Sequence, residues 1–187
     1  MSDTSWKFFL KSSDAWEAML ADIAGAKICI DIEQYIVGVD ATGDMFFELL
    51  KRKSKEGVAV RLLCDGAGSF GLLHSVAERE LVKCGVKIKF FNSIKPWRIH
   101  NFSSWFLRDH RKLLLVDKKI GHTGGVGIEK RMENWRDTHA RIEGDVVADM
   151  QSAYDKMWES TPRHKFFRFK KRVIPGADFS FSTNAPR

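Results

Sequence analysis

Two hydrophobic patterns alternate along this chain. Apolar residues three or four positions apart are typical of an amphipathic helix, and short apolar or alternating runs are typical of a strand. The pattern predicts helices at 14–25, 44–56, 72–84 and 145–159 and strands at 27–35, 58–64, 86–91, 109–116 and 138–142, with a further strand that ends at Gly124. Because helices and strands alternate, we predict an α/β fold, a layered α/β/α sandwich around a mixed sheet.

Two segments lack either pattern. Residues 92–108 are predicted to form a long loop, and its aromatic side chains would suit either a lipid interface or ordinary core packing. These aromatic residues are Trp97, Phe102, Trp105 and Phe106. After residue 162, basic residues alternate with phenylalanines. We therefore predict a folded domain at 1–162 and a basic, aromatic connector at 163–187.

The composition of the chain limits the classes of possible binding partner but does not select one class. The 187 residues are enough for one core, and the net charge of +7 favours polyanions: nucleic acid, an anionic lipid surface or a phosphorylated substrate. Three cysteines without metal-like spacing are expected to be free thiols in a reducing compartment. No apolar run approaches the roughly 18 residues that span a bilayer, and the N-terminus lacks a signal-peptide pattern. Membrane contact is therefore predicted to be peripheral.

Candidate chemistry lies on the predicted strand at 109–116. Side chains two apart in a strand share a face, so His110 and Lys112 are expected to project together, in one row with Leu114 and Val116. An imidazole can attack phosphorus while a neighbouring ammonium holds the non-bridging oxygens. Glycines downstream would let backbone N–H groups approach the same oxygens. The pattern predicts chemistry at a phosphodiester.

The spacing of these residues resembles the HxK(x)4D(x)6GG motif of the phospholipase D superfamily. His110, Lys112, Asp117, Gly124 and Gly125 occupy its positions. Residues 28–35 and 57–65 look like the family's first strands, and the W-R-D-T-H at 135–139 is similar to a segment of its cardiolipin synthase branch. The resemblance implies a phospholipase D-like half-domain at 1–162, with the connector leading toward a second half-domain. Many members carry Asn two residues after the second glycine, where this chain has Gly127.

The resemblance also suggests roles for single residues. It implies that His110, Lys112 and Asp117 are catalytic and that Gly124 and Gly125 bind phosphate. An Asp at a turn between strands is more often a backbone cap, however, and we favour that role for Asp117.

Four further polar residues receive predicted roles. The family's downstream acid, which orients the imidazole, matches Asp137 best. Glu33, on a strand expected to be buried, is predicted to belong to a polar network near the site. His122 and His139 are interpreted as structural, and no metal or cofactor is expected.

In this superfamily the site lies between two halves, each contributing one His and one Lys. One imidazole forms a phosphohistidine, the other protonates the leaving alcohol, and an alcohol or water then resolves the intermediate. The resemblance thus implies a cardiolipin synthase-like phosphatidyltransferase or phospholipase D. It would act on phospholipid, lie peripherally at the cytoplasmic (inner) face of the membrane, and need a second half from the same longer chain or from a homodimer. The alternatives are a single-motif homodimeric nuclease and a catalytically silent half-domain that binds anionic lipid.

Overall fold

A seven-stranded mixed sheet forms the centre of the computed structural model, which describes residues 4–93 and 107–162. The predicted connector and the loop aromatics Trp97, Phe102, Trp105 and Phe106 lie outside the described residues. In chain order the elements are β1 (Ser5–Lys11), α1 (Ser12–Gly25), β2 (Cys29–Gln34), α2 (Ala41–Lys55), β3 (Ala59–Asp65), α3 (Val76–Lys83), β4 (Lys87–Phe91), β5 (Lys112–Val116), β6 (Ile120–Gly124), β7 (Arg136–Glu143) and α4 (Val146–Ser160).

The strand order is β1-β7-β6-β5-β2-β3-β4. Strands β2, β3 and β4 are parallel, and the other neighbouring pairs are antiparallel. Helices α1, α2 and α3 pack on one face and α4 packs on the other. The predicted layered α/β fold with a mixed sheet is therefore confirmed.

The alternation of β5 divides its side chains between two cores. Leu114 and Val116 belong to the large core under α1 and α2, which includes Trp16 and Phe46. Leu115 faces the smaller core under α4. Leu114 and Val116 thus point toward the face with three helices, and by strand alternation Lys112 shares that face, while His110 precedes the strand.

Strand β5 begins at Lys112 rather than at residue 109, and α2 begins at Ala41 rather than at residue 44. Two further elements differ more from the sequence prediction. Strand β1 was not predicted, because only Phe9 among its residues is buried while Trp6, Phe8 and Leu10 are more than half exposed. The helix expected at 72–84 begins only at Val76, because Ser75 caps it by accepting a hydrogen bond from the Glu78 N–H at 3.0 Å. None of the helices in the described ranges is long and apolar enough to cross a membrane.

Candidate active site

The register of the sheet brings the site residues into one row. Gln34 on β2 pairs with Lys112 on β5, and Gly124 on β6 pairs with His139 on β7. The β5–β6 register, in which Leu113 pairs with Thr123, sets Lys112 beside Gly124. Gly124 thus lies between the strands of Lys112 and His139.

His110 lies two residues before β5, and its side chain is exposed. The Lys112 Nζ is 3.3 Å from His110 Nδ1 and donates a hydrogen bond to the His110 carbonyl oxygen at 3.0 Å. The imidazole also rests against Tyr35, with 4.6 Å between ring centroids. The structure therefore brings the predicted nucleophile and ammonium together, although His110 lies outside the regular strand.

Lys112 is almost completely buried beside this exposed imidazole. Burial lowers the pKa of its ammonium, while the nearby carboxylates of Asp137 and Asp109 act in the opposite direction. Its Nζ lies 5.5 Å from the centroid of the Tyr35 ring. A poorly hydrated ammonium interacts strongly with an anion that approaches it, which suits the stabilisation of phosphate oxygens.

The glycine pair packs tightly against β7. A Cβ on Gly125 would lie 2.1 Å from Asp137 Oδ1, and Gly124 has a φ of +150° with the Thr138 carbonyl oxygen 2.3 Å from its Cβ position. The Gly125 N–H already donates to the Thr138 carbonyl at 3.0 Å. These glycines are thus required for close strand packing, and the predicted phosphate contact from the Gly125 N–H is not supported by this geometry.

Asp137 is half-buried above Gly125. Its Oδ1 accepts a hydrogen bond from the Thr138 N–H at 2.7 Å, and its charge acts on Lys112. Within the described residues it forms no hydrogen bond with His110. The predicted role of Asp137 as the partner of the imidazole is therefore not seen here and stays a prediction.

Glu33 lies in a polar network on the α4 face. Its Oε1 is 2.6 Å from Arg111 Nη2, and Arg111 Nε is 3.1 Å from Asp109 Oδ1. Burial, together with a hydrogen bond to the Asp109 carboxyl, raises the pKa of Glu33 to about 9. The buried carboxyls of Glu33 and Asp109 thus contact one guanidinium, that of Arg111, and Asp109 and Arg111 are the chain neighbours of His110. The role predicted for Glu33 in a polar network near the site stays a prediction.

Comparison with known proteins decides the family. The model described as "Cardiolipin synthase, PLD-like domain" matches residues 19–158. The chain belongs to the phospholipase D superfamily, in its cardiolipin synthase-like branch. It is 38% identical over 163 residues to a cardiolipin synthase of Oceanobacillus iheyensis and 31% identical over 180 residues to one of Listeria monocytogenes.

These matches cover 83% and 92% of this chain but only 33% and 37% of the relatives. The chain therefore spans about a third of the length of the curated relatives it matches. Among solved structures, Nuc from Salmonella typhimurium, a phospholipase D family member, superposes with a TM-score of 0.68 at 18% identity and covers 88% of this chain and 100% of its own. Phosphatidylserine synthase from Haemophilus influenzae gives 0.62 at 15% identity, covering 81% of this chain and 36% of its own. At these identities the structural likeness shows the fold alone.

The acidic residue of the phospholipase D motif lies at the other end of β5. Asp117 accepts hydrogen bonds from three successive backbone N–H groups, those of Lys27 at 2.8 Å, Ile28 at 2.7 Å and Cys29 at 2.9 Å. Partial burial opposes ionisation, but these three donors outweigh it and lower the pKa of Asp117. Asp117 therefore caps the start of β2, which fits the structural role favoured by its position at a turn. The catalytic role that the motif implies for Asp117 stays a prediction.

The departure at Gly127 has a steric explanation. A Cβ at this position would lie 2.9 Å from the Sδ of Met132, a residue of the short 3₁₀ helix Lys130–Met132. The Gly127 carbonyl oxygen accepts a hydrogen bond from Trp16 Nε1 at 2.8 Å. The family's Asn side chain would thus have no room here unless Met132 moved.

Sequence reasoning missed the residues that hold His110 in place. The Asp109 N–H donates to Asp65 Oδ2 at 2.9 Å, and Arg108 Nη1 lies 3.3 Å from Asp65 Oδ1. The Tyr35 ring packs against the His110 imidazole. A signal was present, because Tyr35 ends and Asp65 follows two predicted strands joined by a predicted helix, and the carboxyl ends of strands joined in this way meet at one edge of a sheet.

Histidines 122 and 139, interpreted as structural, are both buried behind the site. His122 Nε2 lies 2.7 Å from Asp22 Oδ2. Burial, together with the charge of His122, lowers the pKa of His139 to about 4. Within the described residues, no group of three or more His, Cys, Asp or Glu side chains is arranged to hold a metal ion.

Proposed function

We propose that this chain is one half of a cardiolipin synthase-like phosphatidyltransferase or phospholipase D that acts on glycerophospholipid phosphodiesters. The observation that carries the proposal is the exposed His110 imidazole, 3.3 Å from the buried Lys112 ammonium. The pair provides a nucleophile that substrate can reach and a fixed positive charge for the phosphate oxygens. The cardiolipin synthase relatives support the choice of phospholipid as substrate.

The reaction proceeds in two displacements. A neutral imidazole nitrogen bonds to phosphorus, the bond from phosphorus to the leaving alcohol breaks, and a second imidazolium gives that alcohol its proton. An incoming alcohol or water then attacks phosphorus, loses its proton to the second imidazole, and breaks the phosphorus–nitrogen bond. Lys112 stabilises the extra charge on the non-bridging oxygens in both steps. His110 takes one of the two imidazole roles.

The second imidazole must come from another half-domain. The exposed surface on the α4 face supports pairing there, since Trp6 and Phe8, which pair with Ile142 and Ala140 of the core under α4, are 52% and 63% exposed. Contiguous exposed apolar side chains of this kind mark a contact surface. We propose that a second half bearing its own His-x-Lys packs beside α4, from the same longer protein or as a second copy.

The proposed setting is peripheral attachment at the inner face of the membrane. The excess of seven positive charges supports attraction to anionic lipid. The acceptor is an alcohol for synthesis and water for hydrolysis.

A homodimeric nuclease is the second candidate. The match to Nuc favours this candidate, because the superposition covers the whole Nuc chain. A phospholipase D family member can therefore consist of a single domain of this size. The positive charge suits nucleic acid as well as lipid. A catalytically silent lipid-binding half-domain is the third candidate, favoured by the presence of one motif.

The test is an assay of the complete protein that carries both halves. We expect turnover of phosphatidylglycerol and none of single- or double-stranded DNA, with activity lost in the His110→Ala variant. Cleavage of DNA without lipid turnover would establish the nuclease instead. Binding to lipid without turnover of either substrate would establish the silent module.

A further inference from the structure

Exposed apolar side chains surround the edge of the sheet that carries His110. Each of these side chains lies at a strand end or in a loop on this edge, and each is between 48% and 66% exposed. This apolar rim consists of Leu10, Val39, Phe70, Leu107 and Trp135. Large exposed apolar residues gathered around one opening need a physical explanation.

Contacts tie the rim to the site. Phe70 follows Ser69, whose hydroxyl donates to the Tyr35 carbonyl oxygen at 3.0 Å, and the Tyr35 ring supports His110. Val39 follows Gly38, whose N–H donates to Ile128 just after the glycine segment, at 2.7 Å. Leu107 and Trp135 lie three and two residues before His110 and Asp137. A surface that touched the rim would therefore present its groups to His110 and Lys112.

A pair of like charges lies beside Trp135. Lys11 on β1 and Arg136 on β7 are direct cross-strand partners, and both are exposed. Neither forms an ion pair with a carboxylate within residues 4–93 and 107–162. Like charges directly opposite each other are unfavourable in a sheet, and an anion between them would relieve the repulsion. The rim thus combines apolar insertion with attraction for negative charge.

We propose that the apolar rim and the Lys11–Arg136 pair dock this domain onto a bilayer containing anionic phospholipid, with the site facing the headgroups. Trp and Leu side chains enter the boundary between headgroups and acyl chains, while the two cations bind lipid phosphates. The inference rests on the proposed phospholipid function and names the surface by which the site reaches its substrate. It differs from the pairing surface at Trp6 and Phe8, which lies on the α4 face.

Cosedimentation with vesicles tests the proposal. We expect the chain to bind phosphatidylcholine vesicles that contain phosphatidylglycerol more tightly than vesicles of phosphatidylcholine alone, and less tightly as salt increases. The variant Lys11→Gln/Arg136→Gln should lose about fivefold in partitioning for each cation removed. Trp135→Ser should lose about tenfold.

Two matched controls come from the opposite edge of the sheet. Ile28 is 63% exposed beside the Asp117 turn, and Lys118 and Lys119 are exposed in that turn. Ile28→Ser and Lys118→Gln/Lys119→Gln remove equivalent groups and should leave vesicle binding unchanged. Equal losses in the controls, or unchanged binding in the rim variants, would overturn the proposal.

Two further results separate this inference from the proposed chemistry. The His110→Ala variant should bind vesicles as tightly as the unaltered chain. Vesicle binding can therefore be measured even if the proposed role of His110 in catalysis is wrong. If rim variants dissociate a dimer of this chain and leave vesicle binding intact, the rim is a protein interface and the lipid proposal is overturned.

Discussion

The two ends of strand β5 carry residues of one motif and do different work. At the Asp117 end, three backbone N–H groups within 2.9 Å satisfy the carboxylate, which leaves it little capacity for a substrate. At the other end, the His110 side chain is exposed and the Lys112 ammonium is buried, with no carboxylate in hydrogen-bonding contact in the part of the chain that the structure describes. Residues of a single motif thus divide into a structural cap and a reactive pair.

The largest effect should come from His110→Ala, measured in the protein or complex that carries both halves. Loss of an imidazole that bonds to phosphorus or protonates the leaving group should lower turnover by about a thousandfold or more. Thermal unfolding should change little, because the side chain is exposed. An active His110→Ala enzyme would show that the His110 end of β5 is not the reactive end.

Lys112→Gln should have the next largest effect. The amide keeps most of the side-chain volume but cannot neutralise the phosphate oxygens, so kcat should fall by about 100- to 1,000-fold. Steady-state kinetics and a melting curve should be measured together, since Lys112 is buried. A fall in activity that only follows a loss of folded protein would make Lys112 structural, like Asp117.

Asp117→Ala should lower stability and leave catalysis intact, the opposite of what is expected for His110→Ala. Three backbone donors would lose their acceptor, and the free energy of unfolding should fall by about 1–2 kcal/mol while the folded protein keeps its turnover. Since the pKa of Asp117 is lowered, its contribution is present above the ordinary carboxyl pKa and is lost as the pH falls through the lowered value. Urea unfolding at neutral and acidic pH measures both changes. A large loss of kcat in folded Asp117→Ala would contradict the cap.

The smallest effect is expected for Glu33→Gln, as a change in pH dependence. With its pKa raised to about 9, folded Glu33 keeps a proton that the unfolded chain loses near the ordinary carboxyl pKa. Stability should therefore decrease as the pH rises between these two values, and the Gln variant should show a flatter profile. Unfolding free energies measured from pH 5 to pH 9 test this, and identical slopes would show that Glu33 is ionised beside Arg111.

Much of this arrangement follows from local sequence pattern. Alternation in β5 placed Lys112, Leu114 and Val116 on one face, and turn chemistry favoured a cap at Asp117. Long-range contacts did not follow from it. The pairing of Glu33 with Arg111 and that of Asp65 with Asp109 join residues 78 and 44 positions apart in the chain.

Strand β1 and the hydrogen bond of the Gly125 N–H could not be predicted from the sequence for a different reason. Strand β1 has one buried residue, so its apolar side chains show no burial pattern from which a strand could be recognised. The occupied Gly125 N–H depends on the register between β6 and β7, which no local pattern specifies. In both cases the neighbour across the sheet determines the outcome.

The central claim is that this chain supplies half of a two-imidazole site. Analytical ultracentrifugation with parallel turnover assays on each separated species tests it most directly. We predict that the monomer has no measurable phosphodiester turnover and that activity appears only in species with two His-x-Lys motifs. A monomer of this chain that turns over substrate at a normal enzyme rate would contradict the account.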